Sequence, residues 1–156
     1  MKHSMSYVYK CSFLVLLLFT MGAGQAHREH ATNNIVSVDV GTQLWVRGTL
    51  TGLSSGNVTV ILNAVGNAEV DCVNSANEVI KGKKISVSLS GSSTYPSPKN
   101  GRMTFAVYTF SPVITSVDSC PDSQWIATVS DVEFTHPGAS FIVVQGNKIV
   151  FTEAIH

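Results

Sequence analysis

The stretch Ile85-Ser86-Val87-Ser88-Leu89-Ser90 alternates apolar and hydroxyl side chains without a break. Successive side chains of a strand point to opposite faces, so this pattern spells a strand with one dry face and one wet face. The same rhythm sets Val58, Val60 and Leu62 against Thr59, Ile61 and Asn63, and Ala68, Val70 and Cys72 against Glu69, Asp71 and Val73. Cys72 is therefore expected in the core. The run Met103 to Phe110 (MTFAVYTF) is apolar in both phases and reads as a central strand covered on both sides. After Trp125 the inward set is Trp125, Ala127 and Val129, yet the next apolar pair, Val132 and Phe134, is out of phase with it. One extra residue restores the register, which predicts a β-bulge near Ser130-Asp131. Further strands are expected at 35–40, 43–50, 141–145 and 148–152, with Gly66 and most other glycines and prolines between runs, and Gly146-Asn147 as a two-residue hairpin turn.

The amino-terminal segment has a different character. Lys2, His3 and Lys10 precede the apolar run Cys11 to Met21, and the small residues Gly22, Ala23, Gly24 and Ala26 follow. This is the layout of a secretory signal peptide over 1–26, with His27 as the expected first residue of the mature chain. The apolar run is shorter than the roughly 20 residues a bilayer core needs, so it is not read as a membrane anchor. Cys11 stands at the start of that run, where it cannot serve as a lipidated cysteine after cleavage. The polar, aperiodic stretch His27 to Asn34 (HREHATNN) reads as a mobile arm, and 35–156 as one domain.

Removing 26 of the 156 residues leaves 130, with eight Lys or Arg against ten Asp or Glu, and a formal charge of −2 in place of zero. A weakly acidic chain has no global field to gather polyanions, which argues against nucleic acid as a partner. Val, Ile, Thr, Phe, Tyr and Trp number 49 in the mature chain, and Ala, Leu, Glu, Lys, Gln, Arg and Met only 30, so strand formers dominate. Cys72 and Cys120 form an even pair in an exported chain, which reads as a disulfide. The fold expected is all-β, a single antiparallel β-sandwich of immunoglobulin-like architecture with one disulfide. It is not a true immunoglobulin domain, because no Trp lies between the cysteines: Trp45 precedes Cys72 and Trp125 follows Cys120.

Candidate sites are sparse. Lys81, Lys83 and Lys84, with Lys99 and Arg102 further on, form the basic concentration of the chain and read either as an anion site or as charges that guard a strand edge. Asp118, Asp122, Asp131 and Glu133 lack the closely repeated spacing of a calcium loop and read as solvated carboxylates. A mature His27 would offer its amine and imidazole to copper with a second ligand such as His30 or His136, the alternative reading of the protein. No Gly-x-Ser-x-Gly elbow occurs, and Glu69 and Asp71 leave one strand face without a sign of a cleft between them, so the chain does not read as an enzyme. Trp45 and Trp125 read as core residues, with stacking on sugar rings as the alternative.

From Leu44 to Val150 the chain resembles a family of small exported bacterial proteins without characterised activity. The likeness is carried by Gly48-Thr49-Leu50-Thr51-Gly52-Leu53, Val58-Thr59-Val60, Ala68-Glu69-Val70-Asp71-Cys72-Val73-Asn74, Lys99-Asn100-Gly101-Arg102, Cys120-Pro121-Asp122 with Trp125, and Asp131-Val132-Glu133-Phe134. The resemblance implies an exported β fold with a Cys72–Cys120 bridge and no activity. Between Asn74 and Gly82 the chain departs from that pattern: Ser75-Ala76-Asn77-Glu78 stands where a Gly- and Pro-containing loop belongs. The function expected is that of a secreted, non-catalytic module for surface or envelope binding or adhesion. It takes a protein or glycan partner, uses no cofactor and has no membrane association once the signal peptide is removed.

Overall fold

The computed structural model describes residues 30–115 and 119–155. Their strands are β1 (Ala31–Asp39), β2 (Leu44–Thr51), β3 (Val58–Val73), β4 (Val79–Lys81), β5 (Ile85–Tyr95), β6 (Met103–Tyr108), β7 (Ile126–Gln145) and β8 (Lys148–Ile155). They form two antiparallel sheets. One has the order β1-β2-β6; the other runs β4-β3-β7-β8, with β5 also paired to β3.

The long strand β3 organises the larger sheet. Its even-numbered residues from Val58 to Cys72 are buried without interruption, so the two runs expected on either side of Gly66 are one strand of 16 residues. Gly66 stays inside it for a steric reason. A Cβ there would lie 2.7 Å from Val132 Cγ1 and 2.8 Å from the Glu133 carbonyl oxygen, so only glycine lets β7 approach this closely. The segments 125–134 and 141–145, expected as separate strands, likewise merge into β7. Their junction is an irregularity. Ala64 pairs with Ala139 and Gly66 with Phe134, which leaves four residues of β7, His136 among them, opposite Val65 alone. The Thr135 hydroxyl donates to the Val65 carbonyl across this gap at 3.0 Å.

The bulge expected near Ser130-Asp131 is present. Glu69 pairs with Asp131 and Val70 with Val129, so Ser130 is the extra residue and the inward set changes phase there. The turn at Gly146-Asn147 joins Gln145 to Lys148, with Gly146 at φ 61°, a left-handed conformation that glycine adopts without penalty.

Two further expectations fail. β1 begins at Ala31, so the last four residues of the stretch 27–34 read as an arm are strand, paired from Ala31↔Thr51 to Asn33↔Thr49. The run Met103 to Phe110 is no central strand. β6 ends at Tyr108, pairs among the described strands only with β2 and forms an edge of its sheet, with Met103, Phe105 and Val107 buried and the alternate residues exposed. The second apolar phase of that run faces outward.

One buried cluster draws on both sheets: Leu44, Val46 and Leu50 of β2, Phe105 and Val107 of β6, Val58, Val60 and Leu62 of β3, and Phe141 and Val143 of β7. Phe141 sits at its centre, fully buried, with ring centroids 5.3 Å from Phe105 and 5.9 Å from Phe151. The sheets are tied at their margins as well. The Phe110 amide donates to the Ser90 carbonyl at 2.8 Å on the β5–β6 side, and the Thr32 hydroxyl donates to Glu153 on the β1–β8 side.

The far end of β3 reaches past this cluster and is held covalently. Cys72, fully buried as expected, is bonded to Cys120 across a sequence separation of 48. The loop 82–84 packs against the same place, the Gly82 amide donating to Val70 O at 2.8 Å and the Lys83 amide to Ser119 O at 2.9 Å.

Candidate binding face

The outward side of the three-stranded sheet carries the most unusual surface of the described residues. In the ladders β1-β2-β6, Val38 lies opposite Trp45 and Trp45 opposite Tyr108; one step on, Val36 lies opposite Arg47 and Arg47 opposite Ala106. Directly opposed residues share a face, so these side chains form two adjacent cross-strand rows. Trp45 and Tyr108 stack with centroids 5.9 Å apart and planes inclined by 23°. The Arg47 guanidinium lies over the Trp45 ring, its carbon 5.1 Å from the ring centroid.

This face is open. Val36 and Val38 are each 38% exposed, Tyr108 is 51% exposed, and Phe110, next in the alternation beyond β6, is 70% exposed. Side chains of this kind remain outward on an exposed sheet face only at a cost in solubility, and contiguous apolar surface of this sort is a feature of interaction sites. Trp45 itself is half-buried beneath its neighbours, and its Nε1–H finds no acceptor among the described residues. It is thus a base for the platform and no core residue, which corrects the reading from sequence. Trp125 is half-buried and alternates with exposed Ile126 and Thr128, in the inward set expected for it.

Beside the aromatic rows lies a hollow of about 330 Å³. Asn34, Val36, Arg47, Thr49 and Thr104 line it. It exists because β1 is irregular between Asn33 and Val36, where Asn34 takes φ 55°, a left-handed conformation that Asn tolerates better than most residues. Arg47 belongs to both parts, lying over Trp45 and lining the hollow.

The basic concentration seen in the sequence is divided, and two of its lysines are ion-paired. Lys81 pairs with Asp71 at 2.7 Å, and Lys84 with Glu69 at 2.8 Å and Glu133 at 3.6 Å. The hydrogen-bonded Lys84 amine holds the Glu69 carboxyl below the usual carboxylate range, and Glu69 in return holds the Lys84 amine above its ordinary value. Glu69 and Asp71, which share a strand face as expected, are each committed to a lysine. Lys81 lies on β4, a three-residue strand paired only with β3, where a charge also discourages strand addition. Lys99 and Arg102 stand at the other end of β5, bridged across the Asn100-Gly101 turn.

Of the other candidates, Asp122 accepts the Gln124 amide at 2.8 Å and Glu133 joins the Lys84 cluster. His27, Asp118 and the expected cleavage site lie outside the described residues. Among the described residues no group of three or more His, Cys, Asp and Glu is placed to share a metal ion.

Arg47, Tyr108 and Phe110 were missed as site residues from sequence. Their signal was the second apolar phase of Met103 to Phe110, whose outward members include both aromatic residues, and an arginine two positions from Trp45 on the neighbouring strand. No protein-family model, curated protein or solved structure matches the chain.

Proposed function

We propose that the protein is an exported, non-catalytic binding module, an immunoglobulin-like β-sandwich that holds a surface or envelope partner on the outward side of β1, β2 and β6. The observation that carries this reading is the contiguous outward row of exposed Val38, half-buried Trp45 and exposed Tyr108, with exposed Phe110 beyond it, since such surface costs solubility unless it is covered in use. The Cys72–Cys120 bond is compatible with an oxidising, exported location. Braced stacking of Trp45, Tyr108 and Arg47 gives a rigid platform, which lowers the ordering cost of binding. Nothing in this face couples a nucleophile to a base, and its polar groups are suited to holding a ligand in place.

The test is a glycan-array and partner-capture screen with the oxidised, processed protein beside Tyr108→Ala and Phe110→Ala. Retention of a partner by the wild type and its loss in both variants is expected. Equal retention by all three refutes the assignment of the face. Amino-terminal sequencing of exported material, with His27 expected first, tests the leader.

A further inference from the structure

We propose that the ligand of this face is an acidic glycan, a polysaccharide of uronate-type sugars whose ring stacks on Tyr108 and whose carboxylate is held by Arg47. The inference rests on the binding-face reading above and adds the chemical class of the ligand. Three features of the face meet the three parts of such a sugar.

The apolar C–H side of a pyranose ring needs an exposed aromatic face, which Tyr108 and Phe110 present. Hydroxyl groups need neutral donors and acceptors close to that face, and Asn34, Thr49 and Thr104 line the adjoining hollow. Its volume, about 330 Å³, suits one or two sugar rings.

The carboxylate needs an unpaired cation, and here the charge pattern decides. Lys81 and Lys84 of the β3–β4 region are spent on Asp71, Glu69 and Glu133. Arg47, in contrast, pairs with no carboxylate among the described residues and lies over the Trp45 ring. No hydrogen bond or ion pair among the described residues engages its N–H groups, and a guanidinium binds a carboxylate through two parallel N–H hydrogen bonds. The outward positions of β1, β2 and β6 include no Asp or Glu to repel an anion. Arg102 continues the outward alternation of β6 at its other end, six residues from Tyr108, or roughly 20 Å at the strand rise. Arg47, opposite Ala106 of β6, and Arg102 thus lie four strand residues apart, roughly 13 Å, and two cations so spaced fit a chain that carries a charge on every sugar, whereas a neutral glycan would leave both unanswered.

The experiment is calorimetric titration of the oxidised protein with tetragalacturonate, with the same tetrasaccharide after reduction of its carboxyl groups, and with hexaglutamate as a non-sugar polyanion. Binding of tetragalacturonate, at least tenfold weaker binding of the reduced form, and a tenfold or greater loss in both Arg47→Gln and Tyr108→Ala are expected. Arg47→Lys, which keeps the charge without the planar fork, should recover only part of the loss. All variants alter exposed positions, and unchanged urea unfolding confirms that each is folded. If acidic and reduced sugars bind alike and Tyr108→Ala abolishes both, the acidic assignment is overturned while the binding face stands. Hexaglutamate bound as tightly as the uronate overturns the sugar. If neither sugar binds while the capture screen retains a partner through Tyr108, the inference alone falls. Sugar binding untouched by both variants overturns the inference and the face together.

Discussion

Gly91→Ala is the substitution that most directly tests how the two sheets meet. Gly91 lies within β5 at an ordinary strand conformation, since it is absent from the residues with positive φ. On backbone grounds alone an alanine there should stabilise the protein slightly, because it narrows the unfolded ensemble. The tertiary structure reverses the sign. A Cβ at Gly91 would stand 1.8 Å from the Tyr108 carbonyl oxygen, 2.8 Å from its carbon and 3.0 Å from Thr109 Cα. All three are backbone atoms, so no rotamer change relieves the clash; β5 and the end of β6 must separate by more than 1 Å. That movement pulls directly on the Phe110 N–H···O Ser90 bond of 2.8 Å and on the pair of bonds between Leu44 and Thr109, each of 3.0 Å. Overpacking costs about 1–3 kcal/mol and a lost hydrogen bond about 1 kcal/mol, so the expected loss is about 3 kcal/mol, or roughly 10 °C in Tm for a domain of this size. The assay is urea unfolding of the oxidised protein followed by tryptophan fluorescence, with Ser88→Ala, an outward and exposed change in the same strand, expected within about 0.5 kcal/mol of wild type. A Gly91→Ala protein as stable as wild type, or more stable, would refute the close approach of β5 and β6.

Replacing both cysteines, Cys72→Ala with Cys120→Ala, releases a loop of 48 residues and should cost about 4 kcal/mol in the same unfolding assay; a loss under 1 kcal/mol would mean that the bridge constrains little. Phe141→Ala removes a fully buried ring lodged between Phe105 and Phe151, with an expected cost of about 3–5 kcal/mol, against no more than about 0.5 kcal/mol for Ile149→Ala at a site 66% exposed. The Glu69–Lys84 pair gives a pH dependence whose sign follows from the lowered carboxyl: its stabilisation is present above the unfolded carboxylate pKa and fades as pH falls through the folded one. Glu69→Gln should therefore flatten the acid limb of a plot of unfolding midpoint against pH while leaving its neutral part little changed, because exposed pairs contribute modestly; an unaltered acid limb would show that the pair is not linked to folding.

The local rules of strand chemistry were readable where burial on one face was the only demand on a residue. Alternation identified β3 and β5 because each has a single dry side, and the break of phase after Val129 identified the bulge at Ser130 because an extra residue leaves no other trace. The misreadings share a different cause. Gly66 looked like a break because its effect lies in what β7 gains from the missing Cβ, and β7 is over 60 residues away in the chain. For the lysines at 81 and 84 the sequence left an anion site and edge-guarding charges side by side, and could not show their carboxylate partners because Asp71, Glu69 and Glu133 lie on β3 and β7. In the run Met103 to Phe110, hydrophobicity was taken as burial, although an outward aromatic at a binding face produces the same letters.

The amino-acid sequence by itself determined the all-β class, the buried position of Cys72, its pairing with Cys120, the bulge and the terminal hairpin, since each depends on local periodicity, turn chemistry or an even pair of cysteines. Only the tertiary structure decided which apolar residues are core and which are surface. That choice depends on strand order: β6 is an edge strand beside β2, so Tyr108 stacks on Trp45 in the open and Arg47 is left over the ring, without a carboxylate partner among the described residues. Pairing between strands distant in sequence is set by the packing of the whole chain, and the outward rows it creates are absent from any single segment.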